Sequence, residues 1–201
     1  MLHIEPVTLS TDRLILRPMT LDDVPAIAEA VSDGALWEKK TTTVPRPEAV
    51  EDYVRKALDL RAAGTQLPFT TVLRDGERVV GSTRYMNIDA ANDRLEIGTT
   101  WIARSWQRSF VNTHAKFLML RHAFESLGCN AVELRTHALN EQSRTAIERL
   151  GAKLDGILRS HMIMPDGHIR DTAVYSITRS EWPAVKAALE AKLAAPGRPA
   201  A

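Results

Sequence analysis

The sequence predicts a mixed α/β fold, a twisted mixed sheet of about seven strands with helices on both faces. Three observations predict it. Apolar residues recur in two periods along the 201-residue chain, every second residue in some segments and every third or fourth in others. One helical segment stands between two strand-like segments, which is the crossover length that parallel pairing needs. Asp75-Gly76 and Pro165-Asp166-Gly167 each separate two strand-like segments and mark hairpins.

Residues 13–17 alternate weakly, stop at Pro18 and read as a first strand. Residues 20–32 read as a helix, with Thr20 capping, Asp22 and Asp23 in the first turn and Asp33-Gly34 ending it. A loop from 34 to 45 carries Trp37 and Thr41, Thr42 and Thr43. Pro47 opens a second helix that Gly64 closes. Residues 69–74 and 78–88 form the first hairpin, and a turn over 89–93 leads to a strand over 94–102. Phe117, Leu120, Phe124 and Leu127 then trace one buried helix face, stopped by Gly128. Residues 131–137 alternate as a strand, and 140–150 form a short helix ended by Gly151. Strands over 153–164 and 168–178 make the second hairpin, and a helix over 180–193 is capped by Ser180. One domain over 1–193 is expected, followed by a frayed tail over 194–201 rich in proline and glycine.

The stretch from Gln107 to Lys116 joins the central strand to the main helix, which is expected to begin near Asn112 or Thr113. The first amides of a helix lack partners within it and can hold an anion. An ordinary capped surface turn is the alternative. Neither the glycine-rich P-loop nor the three-glycine dinucleotide fingerprint occurs in the chain.

Charge narrows the partners. With 26 basic and 25 acidic residues, the net charge of +1 argues against nucleic acid. The longest apolar run is far short of a membrane span, and the first residues lack the pattern of a secretory signal. A single cysteine, Cys129, fits a reducing compartment, so a cytoplasmic location is expected. Cys129 follows the helix stop and reads as a structural, buried thiol. The six histidines show no zinc-like spacing, so no metal is expected.

Several phrases in fixed order carry a resemblance: Thr11-Asp12-Arg13-Leu14-Ile15-Leu16-Arg17, Leu95-Glu96-Ile97-Gly98, Asn112-Thr113-His114-Ala115-Lys116, Arg121-His122-Ala123-Phe124-Glu125, Asn140-Glu141-Gln142-Ser143-Arg144, Leu150-Gly151-Ala152 and Asp155-Gly156-Ile157-Leu158-Arg159. In this order, from about Leu9 to Glu181, the chain resembles the GNAT N-acetyltransferase superfamily. Within it, the likeness is to the branch of ribosomal-protein N-terminal acetyltransferases. The resemblance implies a sheet splayed between its fourth and fifth strands. It also implies transfer of an acetyl group from acetyl-CoA to a primary amine, of a protein N-terminus or a small molecule, by direct attack in a ternary complex. The superfamily's acyl-CoA loop reads Gln/Arg-x-x-Gly-x-Gly/Ala. Here Gln107, Arg108, Ser109, Phe110, Val111 and Asn112 align with it, and Phe110 and Asn112 fill both small positions.

By this resemblance Glu96 is the candidate base and Ser143 the candidate acid for the departing sulfur. Trp101, Ile102, the loop from Gln107 to Thr113, Asn140 and Ser143 are the candidate acetyl-CoA contacts. A strand amide near Thr99 or Thr100 would stabilise the carbonyl oxygen. Each has a plainer alternative. Glu96 can be an exposed strand residue paired with Arg94, Ser143 and Asn140 can be helix caps, and Trp101 and Ile102 can be core. Tyrosine, used for the acid by many superfamily members, is replaced by Ile147. The acceptor is expected among the first two helices, the Trp37 loop and the second hairpin. A homodimer through the C-terminal strands or helix fits the same picture. A non-catalytic acyl-CoA sensor is the alternative function, left open by the lost loop glycines.

Overall fold

A computed structural model describes residues 2–38, 44–164 and 166–194. Thr41, Thr42, Thr43, Pro165 and the tail beyond Ala194 lie outside them. The chain begins with β1 (Leu9–Ser10) and β2 (Leu14–Pro18), followed by α1 (Val24–Ser32) and α2 (Val50–Ala62). Next come β3 (Leu67–Leu73), β4 (Val79–Asp89), β5 (Arg94–Ile102) and α3 (Val111–Arg121). β6 (Ala131–His137), α4 (Glu141–Leu150), β7 (Lys153–Ile163), β8 (Ile169–Thr178) and α5 (Trp182–Ala194) complete it. All the strands form one sheet in the order β1-β2-β3-β4-β5-β6-β8-β7. It has eight strands rather than about seven, because Leu9 and Ser10 pair with Leu16 and Ile15. Two residues are too few to show a period. The pair β5–β6 is parallel, as the crossover predicts, and the other pairs are antiparallel.

Helices cover both faces of this sheet and each face has its own apolar layer. On one side Leu95, Ile97 and Tyr85 pack with Leu118 of α3 and Trp182 and Leu189 of α5. On the other, Trp101 and Val72 pack with Ile27, Val31 and Val54 of α1 and α2. Strands alternate faces, so Leu95 and Trp101, six residues apart, should share a face. They do not, because β5 carries a bulge. Ser82 pairs with Trp101 and Arg84 with Gly98, which leaves Thr83 alone opposite Thr99 and Thr100.

Helix α3 lies between the sheet and α5, and Val111 and every residue from His114 to Leu120 are buried. The expected apolar face is there, but so is a buried Lys116 beside it. Tyr85 donates its hydroxyl to the Met119 carbonyl at 2.6 Å, and the helix widens into a π-turn over His122–Ser126 just beyond. Gly128, at φ +71°, ends it as predicted. At the far edge β7 is exposed along almost its whole length, with Ile163 79% accessible.

Candidate active site

Strand β5 is half-partnered on its β6 side. Pairing covers Arg94, Leu95 and Glu96, and among the described residues the stretch Ile97 to Ile102 has no strand beside it there. The two strands therefore diverge just past Glu96. The bulge lies on this open stretch, with Thr99 held at φ +47°. A β-branched residue rarely takes that conformation, and such strain costs on the order of 1–3 kcal/mol. The Thr100 hydroxyl turns toward α3, where it meets Thr83 at 2.8 Å and accepts from the Lys116 ammonium at 2.7 Å.

The loop after β5 is tied down by its own polar groups. Gln107 donates its side-chain amide to the Ile102 carbonyl at 2.9 Å. Arg108 adopts a left-handed backbone at φ +60°. Ser109 donates to the Trp106 carbonyl at 2.6 Å and accepts the Val111 amide at 3.3 Å. The helix therefore starts at Val111, one or two residues earlier than expected, with Phe110 at the cap position and the Ser109 hydroxyl on the first helical amide. Asn112 and Thr113 lie in the first turn, where amides have no carbonyl one turn back. Phe110 does not lie across that end. Its ring stands edge-on between Trp106 and His114, with the Arg13 guanidinium 3.6 Å from its centre. Asn112 and Thr113 thus leave backbone amides at the helix mouth despite the missing glycines.

Glu96 is 5% exposed, and Arg94 is not its partner. Arg94 pairs with Glu133 instead. Asn87 donates to Glu96 at 2.7 Å, and Arg135 approaches it at 3.4 Å. Burial raises the Glu96 pKa, opposed by the Asn87 hydrogen bond and the Arg135 charge. Asn87 and Arg135 also line an open polar cleft of about 630 Å³ with Asp89, Asn92, Arg94 and Glu133. A groove of about 450 Å³ between Leu21, Pro25 and Arg55 holds none of these groups. On the other flank of β5, burial brings Lys116 down to about 7, opposed by the charge of Glu96.

Asn140 caps α4, accepting the Ser143 amide at 3.1 Å. This is the plainer of its two readings. It leaves the Ser143 hydroxyl, half-buried on the first turn, without a hydrogen bond among the described residues. Ile147 is core. Trp101 lies in the α1–α2 layer, its indole N–H on the Tyr53 hydroxyl at 3.4 Å, and Ile102 packs at the edge of the other layer. Their backbone, rather than these side chains, lies along the open flank. Trp37 is half-buried in a short turn and, among the described residues, belongs to neither layer, whereas its neighbour Leu36 anchors that turn. Cys129 is fully buried, and burial pushes its thiol up to about 11, which fits packing and not nucleophilic chemistry.

The structure also joins residues that sequence reasoning kept apart. Leu139 donates its amide to Nδ1 of His137, whose Nε2 lies 3.3 Å from Nε2 of His168. His168 Nδ1 in turn lies 2.6 Å from the Asp166 carboxylate. The antiparallel β6–β8 register pairs His137 with Thr172, and His168 meets the His137 ring from just before β8 begins. The signal available in the sequence was a histidine at the end of one predicted strand and another at the start of the next-but-one.

The model of the family described as acetyltransferase (GNAT) domain matches residues 13–153. A protein of Bacillus subtilis (strain 168), provisionally named the ribosomal N-acetyltransferase YdaF, is 31% identical over 68% of this chain and 70% of its own. A crystal structure of a GCN5-related N-acetyltransferase from Brucella melitensis is 30% identical, with a TM-score of 0.85, over 96% of this chain and 87% of its own. A Mycobacterium smegmatis RimJ in complex with CoA-disulfide shares the fold at a TM-score of 0.77 and 24% identity, over 93% and 95%.

Proposed function

This chain belongs to the GNAT acetyltransferase family and is an acetyl-CoA-dependent N-acetyltransferase; from that premise we propose that its acceptor is the α-amino group of a protein N-terminus, attacked directly in a ternary complex. The divergence of β5 from β6 just past a buried Glu96 is the observation that carries the reading. The relative named for ribosomal N-acetylation supports the acceptor class.

Acetyl-CoA, when bound, supplies an activated acetyl group on a good leaving sulfur. Residues Gln107 to Thr113 would hold its diphosphate at the mouth of α3. The backbone of Trp101 and Ile102 would pair with its pantetheine arm, beside Asn140. Thr99 and Thr100 sit on the bulge, where a backbone amide freed from the β4 ladder would stabilise the carbonyl oxygen. Glu96, with its raised pKa, takes the amine proton directly or through water from the polar cleft side. Ser143 gives a proton to the departing sulfur, a role its unpaired hydroxyl leaves open. The reading includes a homodimer paired along the exposed edge of β7.

The test combines calorimetry with acetyl-CoA and thiol release over a panel of N-terminal peptides, polyamines and amino-acid derivatives. Heat with acetyl-CoA and turnover confined to peptides is the expected outcome. Turnover only on small amines would move the acceptor to that class. No heat with CoA or its acetyl form would remove the site assignment altogether.

A further inference from the structure

Arg84 is a buried cation that the reaction as described does not use. It stands on β4, 5% exposed. Nη1 donates to Gln66 at 2.8 Å, and the guanidinium carbon lies 5.2 Å from the centre of the Tyr53 ring. Nε and Nη2 are buried and bond nothing among the described residues. Those two nitrogens form one side of the guanidinium fork, the side that grips a carboxylate with two parallel hydrogen bonds. Arginine keeps its charge at any working pH, so the unpaired side is a standing demand for an anion. Among the described residues no carboxylate meets it: Glu96 is held by Asn87 and Arg135 instead.

Its place in the sheet says which anion. Arg84 pairs with Gly98, Tyr85 with Ile97 and Met86 with Glu96, without interruption. Arg84 and Glu96 are therefore diagonal neighbours on the α2 face of the sheet. Gly98 is the low step between them, where an added Cβ would meet Met86 at 2.5 Å and Glu96 at 2.9 Å. A carboxylate on the Arg84 fork would sit about one residue's reach from an amine at Glu96.

We propose that Arg84 is a specificity-determining residue that receives a carboxylate of the acceptor, so that the preferred acceptor carries a carboxylate on the residue whose amine reacts. This rests on the reading of Glu96 as the group that faces the amine. The carboxylate has two sources: the side chain of an N-terminal Asp or Glu, or the α-carboxylate of a free amino acid.

Matched pairs test it. Thiol release is measured for peptides beginning with Asp against Asn and Glu against Gln, and for free amino acids against their carboxamides. In the wild type the carboxylate member of one source is favoured about 10- to 100-fold in kcat/KM, the worth of charge-assisted hydrogen bonds. Arg84→Gln brings that ratio close to one, and Arg84→Lys keeps part of it. In parallel, calorimetry with CoA-loaded protein follows the acetylated carboxylate product, which binds wild type and loses binding in Arg84→Gln. Equal rates on both members in the wild type overturn the proposal, as does an unchanged ratio in a folded Arg84→Gln. If that variant fails to fold, the wild-type ratio and product binding decide. Failure of every acceptor in the wild type removes the acceptor reading, and the product-binding arm still judges the Arg84 fork separately.

Discussion

Two regions of this molecule bury charge, and they do it differently. At the start of α1, the Asp23 carboxylate accepts two hydrogen bonds from Arg17, one from the Thr20 amide at 2.9 Å and one from the Thr70 hydroxyl at 2.7 Å. Its oxygens are fully employed, and the cluster ties β2, β3 and the entry to α1 together. Around β5 three charged side chains are buried with fewer partners each. Among the described residues Lys116 has one hydrogen bond, Arg84 leaves two nitrogens idle, and Glu96 has one hydrogen bond from Asn87 and a looser contact with Arg135 at 3.4 Å. Satisfied burial serves stability, whereas unsatisfied burial is tolerated where something else completes it. The strained Thr99 belongs to the second region, which is the half that the proposed reaction uses.

The comparison predicts a division of effects, and the largest tests sit one on each side. Glu96→Gln is expected to lower kcat by about 10²- to 10⁴-fold, the usual contribution of a positioned base. Its melting temperature should hold or rise, because a buried carboxylate with a raised pKa is replaced by a neutral isostere. Asp23→Ala should do the reverse. Leaving Arg17 and Thr70 without their acceptor costs roughly 3–5 kcal/mol in denaturant unfolding, while acetyl-CoA affinity stays the same. A Glu96 variant that loses stability and keeps its rate would erase the distinction.

Much of this was legible and some was not, for a physical reason. The crossover, both hairpins and Gly128 and Gly151 as helix stops are local signals and appear where periodicity and turn chemistry put them. Glu96 was legible as a residue type in a strand, and Asn140 as a cap. The start of α3 was misplaced because Ser109 reaches the Val111 amide from outside the helix. Lys116 and Arg84 occupy positions that one-dimensional alternation assigns to solvent. Their burial depends on the bulge at Thr99, the divergence of β6 and the cover given by α2 and α5, which are relations between distant segments. His137 and His168 meet for the same kind of reason, through a contact between the end of β6 and the residue before β8 that no local pattern encodes.

A smaller effect sharpens the working half itself. Ser143 is placed by the Asn140 cap, but its hydroxyl is not consumed by it. Ser143→Ala should therefore leave the melting curve almost unchanged and lower kcat about 10-fold or more, with KM for acetyl-CoA steady. If the serine only supported the helix, the loss would appear in stability, and kcat would stay within about twofold.

The least dramatic prediction concerns Lys116, and it reads the burial directly. Burial lowers its pKa from 10.5 to about 7. Between those values the unfolded chain binds a proton that the native chain has released, so this residue makes stability rise with pH across that window. Below about 7 both states are protonated, and the native state carries the full cost of an ammonium inside the protein. Lys116→Met removes the cost and the slope together. Urea unfolding at pH values from about 6 to 10 should show the variant's advantage greatest at the acid end, shrinking by at most about 1.4 kcal/mol per pH unit. Asp23→Ala, measured alongside, should give no such trend over that range, because it breaks a satisfied cluster and not a starved one. An offset for Lys116→Met that is constant with pH would mean that the ammonium stays charged when folded, and the flank of β5 would then be wetter than its geometry implies.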